Sequence, residues 1–388
     1  MSLIASTEHG WIVSHLKYLN NIYTDVKNGS AQCKLIINET LFRINSQYLR
    51  QNQIIQSEQQ HEGIPLQNKC KKRRRTKLLP DKDLKEISYI EETFNKIIAF
   101  AKAEGLFSTN ILCDNNEAAR LASQKFYQGT FSNGEENFYG CNDTDVAMAS
   151  ELKGKKYVFP QKSRFYCYDV RDIAEKLDSS NQYDFILLDP PWWNKSIRRK
   201  RIKYSEASYK MMYNEELAKI PIGKLLCSNG VVAIWCTNAP SHLHSICNNI
   251  FPSWGITYRA KWYWVKITQT GNTICNFNCA PGKQPYELLV LGSVMNGNEV
   301  NIPDGKLLIS VPSAVHSHKP PLIEVMQDYL PSEPKCLEIF ARYLLPRWTS
   351  WGLEVLKFQH LSLYTIIEET KEDQNNTDVD INEIINWF

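Results

Sequence analysis

From residue 164 onward, short apolar runs alternate with stretches of helical character, and this alternation constrains the fold more than any other feature of the chain. The runs are Arg164 to Tyr168, Tyr183 to Leu188, Val231 to Cys236, Trp262 to Ile267, Tyr286 to Leu291, Leu307 to Val311, Cys336 to Phe340 and Leu353 to Phe358. Between them, Pro240 to Ile250 and Pro320 to Leu330 read as helices opened by proline, whose missing N–H costs nothing in a first turn. Strands separated by helices predict a doubly wound α/β sheet, in which ligands bind beyond the carboxyl ends of the strands. The glycine fingerprint of a dinucleotide site is absent, which argues against a nicotinamide enzyme.

One predicted strand, Phe185-Ile186-Leu187-Leu188, runs straight into Asp189-Pro190-Pro191-Trp192. An acidic side chain, two rigid turn residues and a large ring at a strand's carboxyl edge suit gripping the exocyclic amine of a planar heterocycle. Adenine's amine is a poor nucleophile because its lone pair is delocalised into the ring. Asp189 can accept one amine hydrogen and the Pro190 carbonyl the other, since consecutive prolines fix φ and aim their carbonyls. Such a grip favours positive charge developing on nitrogen and points the lone pair at an incoming methyl group. Trp192 offers a flat stacking platform, and a target inside a duplex would first be flipped out. These residues point to methyl transfer onto an adenine amine, with no covalent intermediate and no metal.

At 388 residues the chain has room for two domains, and its net charge of +3 hides strong local asymmetry. Basic residues crowd Lys69 to Lys77, read as a nuclear import signal or a basic linker, and the tail from Glu368 to Glu383 is acidic. Lys195, Arg198, Arg199, Lys200, Arg201 and Lys203 follow the tetrapeptide, where an acidic polymer would pass. They read as a phosphate-contacting gate loop, with Tyr204 and Tyr209 as added stacking surfaces. The first residues carry no basic segment followed by an apolar one, and no run nears the roughly 18 apolar residues of a membrane span. Neither a secretory signal nor a membrane anchor is expected. The eleven scattered cysteines read as reduced thiols, and Cys275 and Cys279 lack close partners for a zinc site.

The expected organisation is an N-terminal accessory domain over 1–150, a candidate RNA-binding unit, then the α/β domain over 151–363 and an acidic tail over 364–388. Within the first part, Lys34 to Ile37 and Thr40 to Ile44 are β-prone. Leu84, Ile87, Phe94, Ile97, Ile98 and Ala101 recur with helical spacing, and a second helix is expected over Glu117 to Gln124.

The motifs together resemble the MT-A-type adenosine methyltransferases. Beyond the tetrapeptide, the likeness is carried by Tyr168-Asp169-Val170-Arg171, Trp264-Val265-Lys266, Pro281-Gly282-Lys283, His316-Ser317-His318-Lys319-Pro320 and Leu337-Glu338-Ile339-Phe340-Ala341-Arg342. Val311-Pro312-Ser313 and Trp348-Thr349-Ser350-Trp351-Gly352 extend it. The resemblance implies a Rossmann-like, S-adenosylmethionine-dependent methyltransferase sheet in the permuted β-class order, with the base-gripping strand ahead of the ribose-side strand Cys336 to Phe340.

It further implies that Asp169 and the Val170 backbone hold the cofactor's adenine, and that Lys319 pairs with its methionine carboxylate. Asp189 would touch the methionine ammonium, and Arg342 and Glu354 would reach the ribose. The implied substrate is RNA, specifically a 2′-O-methylated adenosine in the spliceosomal small nuclear RNA that pairs with the branch point. A monomer would act on it in the nucleus, with cytoplasmic or mitochondrial pools as further locations. DNA adenine is the alternative substrate, and a non-catalytic RNA-binding scaffold is the alternative class. Scaffolds of this family lack the Asp or the Trp of the tetrapeptide, and both are intact here. One departure stands out: Leu353 occupies the position where the family carries Asn. Leucine cannot bond a ribose hydroxyl, a loss of about 1–3 kcal/mol where the hydroxyl is buried.

Overall fold

The computed structural model describes residues 2–47, 81–109, 114–130, 137–178, 180–193, 211–277, 283–295 and 300–368. The basic runs at 69–77 and 195–203, Tyr204, Tyr209, Cys279, Pro281, Gly282 and the tail beyond Glu368 lie outside the described residues. The first strands are β1 (Leu3–Thr7), β2 (Gly10–Val13), β3 (Val26–Asn28), β4 (Ala31–Ile37), β5 (Phe138–Asn142), β6 (Ala147–Leu152), β7 (Lys155–Phe159) and β8 (Ser163–Cys167). They are followed by β9 (Tyr183–Leu188), β10 (Leu226–Cys236), β11 (Ile256–Lys266), β12 (Tyr286–Val294), β13 (Leu307–Ser310), β14 (Cys336–Ile339), β15 (Trp348–Trp351) and β16 (Tyr364–Glu368). Among the described residues one 11-stranded sheet has the order β1-β2-β13-β11-β12-β10-β9-β14-β15-β8-β5, and β16-β4-β3-β6-β7 form a second.

β9 lies between β10 and β14 and is parallel to both. Phe185, Ile186, Leu187 and Leu188 are each at most 1% exposed, which explains an uninterrupted apolar run rather than an alternating one. Period-two geometry splits these strands between the two faces of the sheet. Ile186, Leu188, Val232, Ile234 and Cys236 enter one core cluster, while Phe185, Leu187, Val231, Ala233 and Trp235 enter the other. β14, β15 and β8 continue the parallel set on one side of β9. On the other side β12 is antiparallel to β10 and to β11. β8, β9, β10, β11, β13, β14 and β15 therefore all end at one edge, and β12 begins there. Three helices are longer than seven residues among those described: α1 (His15–Ile22), α2 (Asp81–Ala103) and α3 (Glu117–Thr130). α1 starts where the Ser14 hydroxyl accepts from the Lys17 N–H at 3.1 Å.

The expected separation at residue 150 is corrected by the strand pairing. Residue 150 falls within β6; β2 pairs with β13, and β16, at the start of the expected tail, pairs with β4. Residues 1–150 thus supply strands to both sheets rather than a unit apart. Close backbone approach is the reason β2 can dock. A Cβ on Gly10 would sit 2.0 Å from the Leu307 carbonyl oxygen, so a side chain there cannot coexist with the β2–β13 ladder. Gly10→Ala is expected to cost about 2–4 kcal/mol, read as a lower denaturation midpoint at unchanged m-value.

Two further expectations are corrected. Leu353 to Phe358 is not a strand: β15 takes that place in the sheet, and the chain then turns, ending in a 3₁₀ segment over Lys357–Gln359. The turn is tight because Gly352 passes Ala341 so closely that a Cβ would lie 2.7 Å from the Ala341 carbonyl oxygen. Thr40 to Ile44 is likewise not a strand, because the Asn38 side chain caps a 3₁₀ turn at Glu39–Phe42.

Candidate active site

The carboxyl edge of the sheet gathers the charged residues that the sequence scatters over almost two hundred positions. Asp169 follows β8, Asp189 follows β9, Arg342 follows β14 and Glu354 follows β15. Lys266 ends β11, Glu287 lies at the start of β12, and Lys319 comes after β13. Asp189 Oδ2 accepts from Arg342 Nη1 at 2.9 Å, and Asp189 Oδ1 lies 3.6 Å from Lys319 Nζ. Arg342 Nε donates to Glu354 Oε2 at 3.0 Å, and Lys357 Nζ to Glu354 Oε1 at 2.6 Å. Lys319 and Lys266 both pair with Glu287. The result is an unbroken line of alternating charge: Lys266, Glu287, Lys319, Asp189, Arg342, Glu354, Lys357.

Alternation is what makes this burial affordable, since each charge removed from water gains a neighbour of opposite sign. Burial pulls the Lys319 ammonium down, but Asp189 and Glu287 more than offset it, and the net shift is upward. Burial alone would raise the Glu287 carboxyl, yet the Lys319 and Lys266 ammoniums hold it far below the usual carboxylate range. Glu354 is likewise held low against burial, by Lys357 and then Arg342. Lys319 also sits 5.2 Å and 5.7 Å from the ring centres of Trp235 and Trp264, where ring quadrupoles favour a cation. Beside it, His318 is buried against the rings of His15, Tyr343 and Phe358, and burial pushes its imidazole down to about 3. His318 is therefore a neutral anchor for the segment carrying Lys319.

A cavity open to solvent lies against the Arg342 side of this line. Asp169, Val170, Pro191, Arg342, Leu353 and Glu354 line it, together with Tyr168, Phe340 and Trp351. Trp351 stacks on Tyr166 at 5.2 Å and 19°, and its indole N–H donates to the Asp169 carbonyl, which fixes the aromatic wall. Phe340 has φ of 65°, a left-handed conformation rare outside glycine, and this turn brings Arg342 back over Asp189. The Asp169 carboxylate caps the turn at Val170–Asp172 and is bridged by Arg171, whose guanidinium donates at 2.9 and 2.6 Å. That bridge is a largely exposed ion pair, worth about 0–1 kcal/mol, so a ligand can displace it.

The tetrapeptide folds differently from expectation in one respect. The Pro190 carbonyl accepts from the Trp192 N–H at 2.8 Å, and the Pro191 carbonyl from the Met212 N–H at 2.9 Å. A carbonyl has two lone pairs, so Pro190 keeps one for a further donor. Trp192 is 5% exposed, donates its indole N–H to the Trp235 carbonyl at 2.8 Å, and packs on His242 with ring centres 4.7 Å apart. The ring is a wall of the core rather than an open platform. The expected stacking role of Trp192 is corrected accordingly. Lys195, Arg198, Arg199, Lys200, Arg201 and Lys203 lie outside the described residues.

Sequence reasoning passed over two carboxylates. Glu287 and Glu338 each interrupt an apolar strand, and a charge inside an otherwise apolar run is the signal that could have flagged them. Glu338 is 4% exposed and its Oε2 has no hydrogen-bond partner among the described residues. Burial, and then the nearby Asp189 charge, push its carboxyl up to about 8, with Arg342 pulling the other way. The fold therefore favours the protonated form, and that stabilising preference is whole below pH 4.5 and lost as pH rises through about 8. Glu338→Gln, which stays neutral, is expected to match the parent at pH 4.5 and exceed it at pH 9 by about 3–5 kcal/mol in chemical denaturation. Equal stability at both pH values would refute a proton on Glu338.

The chemistry available at this edge is positioning and charge stabilisation. Comparisons with known proteins agree with that geometry. Residues 183–354 match the MT-A70 family. Human N(6)-adenine-specific methyltransferase METTL4 is 40% identical over 237 residues, covering 58% of this chain and 49% of the relative. The Caenorhabditis elegans DNA N6-methyl methyltransferase is 29% identical over 292 residues, covering 74% and 75%. The Pyricularia oryzae N6-methyladenosine RNA methyltransferase MTA1 is 33% identical over 237 residues, covering 59% and 62%. The match to the human relative spans about half of that protein's length. The span matched, β9 through the Glu354 turn, is the stretch that carries Asp189, Lys319 and Arg342: the chain carries an MT-A70 family domain.

Proposed function

We propose that this chain transfers a methyl group from S-adenosylmethionine to the exocyclic N6 amine of adenosine in RNA, with the 2′-O-methylated adenosine of the branch-point-pairing spliceosomal small nuclear RNA as its substrate. The observation that carries this reading is the Asp189 carboxylate and the Pro190 carbonyl side by side at the end of the central strand, next to a cavity lined by the Asp169 and Glu354 carboxylates. The order of β9 before β14 in the chain, side by side in the sheet, supports the permuted β-class arrangement.

The residues of the cavity, with Asp189 and Lys319 of the charge line beside it, fit a nucleoside-bearing methyl donor. Asp169 and the Val170 backbone would hold its adenine, Glu354 and Arg342 its ribose, Lys319 its carboxylate and Asp189 its ammonium. When bound, the cofactor supplies an electrophilic methyl on a sulfonium. The remaining work falls to the protein. Asp189 accepts one hydrogen of the substrate amine, and the second lone pair of the Pro190 carbonyl accepts the other. Both acceptors favour the positive charge that grows on nitrogen, and both are fixed before the reaction begins. Pro191 and the buried Trp192 hold that pair of acceptors in place. Leu353 lines the cavity with an apolar, half-exposed side chain, which leaves the ribose to Glu354 and Arg342.

The proposal includes action as a monomer in the nucleus. DNA is the second reading, because the relative named as a DNA methyltransferase aligns with the largest share of this chain among those compared here. Labelled S-adenosylmethionine, offered with matched RNA oligonucleotides with and without the 2′-O-methyl group and with DNA of the same sequence, separates the cases. Transfer confined to the 2′-O-methylated RNA supports the proposal. Preferential labelling of DNA replaces it with the second reading.

A further inference from the structure

Trp192 and Met212 form an isolated parallel bridge, and both side chains point inward, at 5% and 9% exposure. Successive side chains on extended backbone point to opposite sides. The next residue on each side of that bridge, Trp193 and Tyr213, therefore turns outward. Their rings lie 6.2 Å apart between centres and within 19° of parallel, and Tyr213 is 57% exposed. The segments that carry the pair border the cavity, which Pro191, Met211, Met212 and Glu216 line.

The rings are also braced from below. His242 bonds the Trp193 backbone and pairs with the Asn214 side chain at 3.2 Å, so one imidazole ties the segments that carry both rings. The Tyr213 N–H donates to the Glu216 carboxylate at 2.9 Å, and the Tyr213 carbonyl accepts the Glu216 and Leu217 N–H groups. Two parallel and pre-ordered rings, Trp193 partly buried and Tyr213 exposed, match the π-face of a base beside the proposed amine-gripping site. A protein partner would ask for a wider apolar patch. The six cations from Lys195 to Lys203 that follow in the sequence suit a polyanion rather than an apolar partner.

We propose that Trp193 and Tyr213 form a stacking platform for the nucleobase next to the target adenosine in a single-stranded nucleic acid. The inference rests on the proposed function for the identity of the neighbouring site, but it makes a separate claim about binding. The role is distinct from the one expected of Trp192, which concerned the target base itself.

Fluorescence anisotropy tests it with a labelled single-stranded RNA containing the target adenosine and the same RNA made abasic at each flanking position in turn. The native chain is expected to bind the abasic RNA about 5- to 150-fold more weakly at one of the two positions. Trp193→Ala and Tyr213→Ala are expected to lose that preference, binding both RNAs equally weakly, while Trp193→Phe keeps most of it. Unchanged thermal midpoints in the two alanine variants show that the fold is intact. An undiminished preference in both alanine variants overturns the platform, as does a native chain indifferent to the flanking bases. Methyl transfer by a native chain indifferent to flanking bases leaves the proposed function standing without the platform. A ring-dependent preference without transfer does the reverse.

Discussion

Asp189→Asn is expected to lower kcat for methyl transfer by about 100- to 1,000-fold, the scale of losing one pre-placed electrostatic contact to a transition state. Asparagine keeps the shape of the side chain and one acceptor oxygen. It loses the charge that opposes the positive charge growing on the substrate nitrogen. It also breaks the charge line at its centre: Arg342 and Lys319, now separated by an anion they share at 2.9 and 3.6 Å, would face a neutral amide. Some stability is lost with it, so the thermal midpoint must be measured beside kcat. A drop in kcat in a variant that remains folded at the assay temperature supports the grip. Wild-type kcat in Asp189→Asn would contradict it.

Lys319→Met is expected to cause the largest loss of stability. Methionine fills a similar volume, but the substitution removes one ammonium from two carboxylates at once. Glu287 keeps Lys266, and Asp189 keeps Arg342, yet both retain a buried charge with one partner fewer. Breaking a buried pair from one side costs about 3–5 kcal/mol, to be read from urea denaturation. The pH dependence adds a second signature. A carboxyl held below its unfolded value stabilises the fold above that value, and the contribution is lost as pH falls through the folded one. Without Lys319 the Glu287 carboxyl rises, so acid destabilisation should begin at a higher pH than in the parent. Binding of S-adenosylhomocysteine, followed by calorimetry, should weaken at least 30-fold or so, because its carboxylate loses its partner. Unchanged affinity would remove Lys319 from the cofactor site while leaving its structural role.

The centre of the sheet was the most legible part of the sequence. Tyr183–Leu188 is buried on both faces and stopped by two prolines, so composition and turn chemistry agree. The margins were not. Leu3–Thr7 and Phe138–Asn142 are mixed, half-exposed edge segments, and Gly140 gives the second little strand character. Their place is decided by partners: β1 pairs with β2, which docks on β13 about three hundred residues further on, and β5 pairs with β8.

The site divides the same way. Asp169, Asp189, Arg342 and Glu354 follow strand ends, and a doubly wound sheet brings strand ends together, so topology alone could gather them. Glu287 and Glu338 sit inside strands, where a polar residue reads as one step of an alternating pattern. Their partners are reached only through the fold. For Trp192 and Trp193, two adjacent tryptophans of opposite orientation, nothing local says which turns inward. The bridge to Met212 decides it.

The most direct test of the central claim is the position of the methyl group. RNA treated with the native chain and S-adenosylmethionine is digested to nucleosides and resolved by mass spectrometry against standards. Methylation at N6, formed about 100- to 1,000-fold more slowly by Asp189→Asn, is the result predicted from the Asp189 and Pro190 grip. Methyl groups on a ring nitrogen or on ribose, or none at all while the cofactor binds, would contradict it.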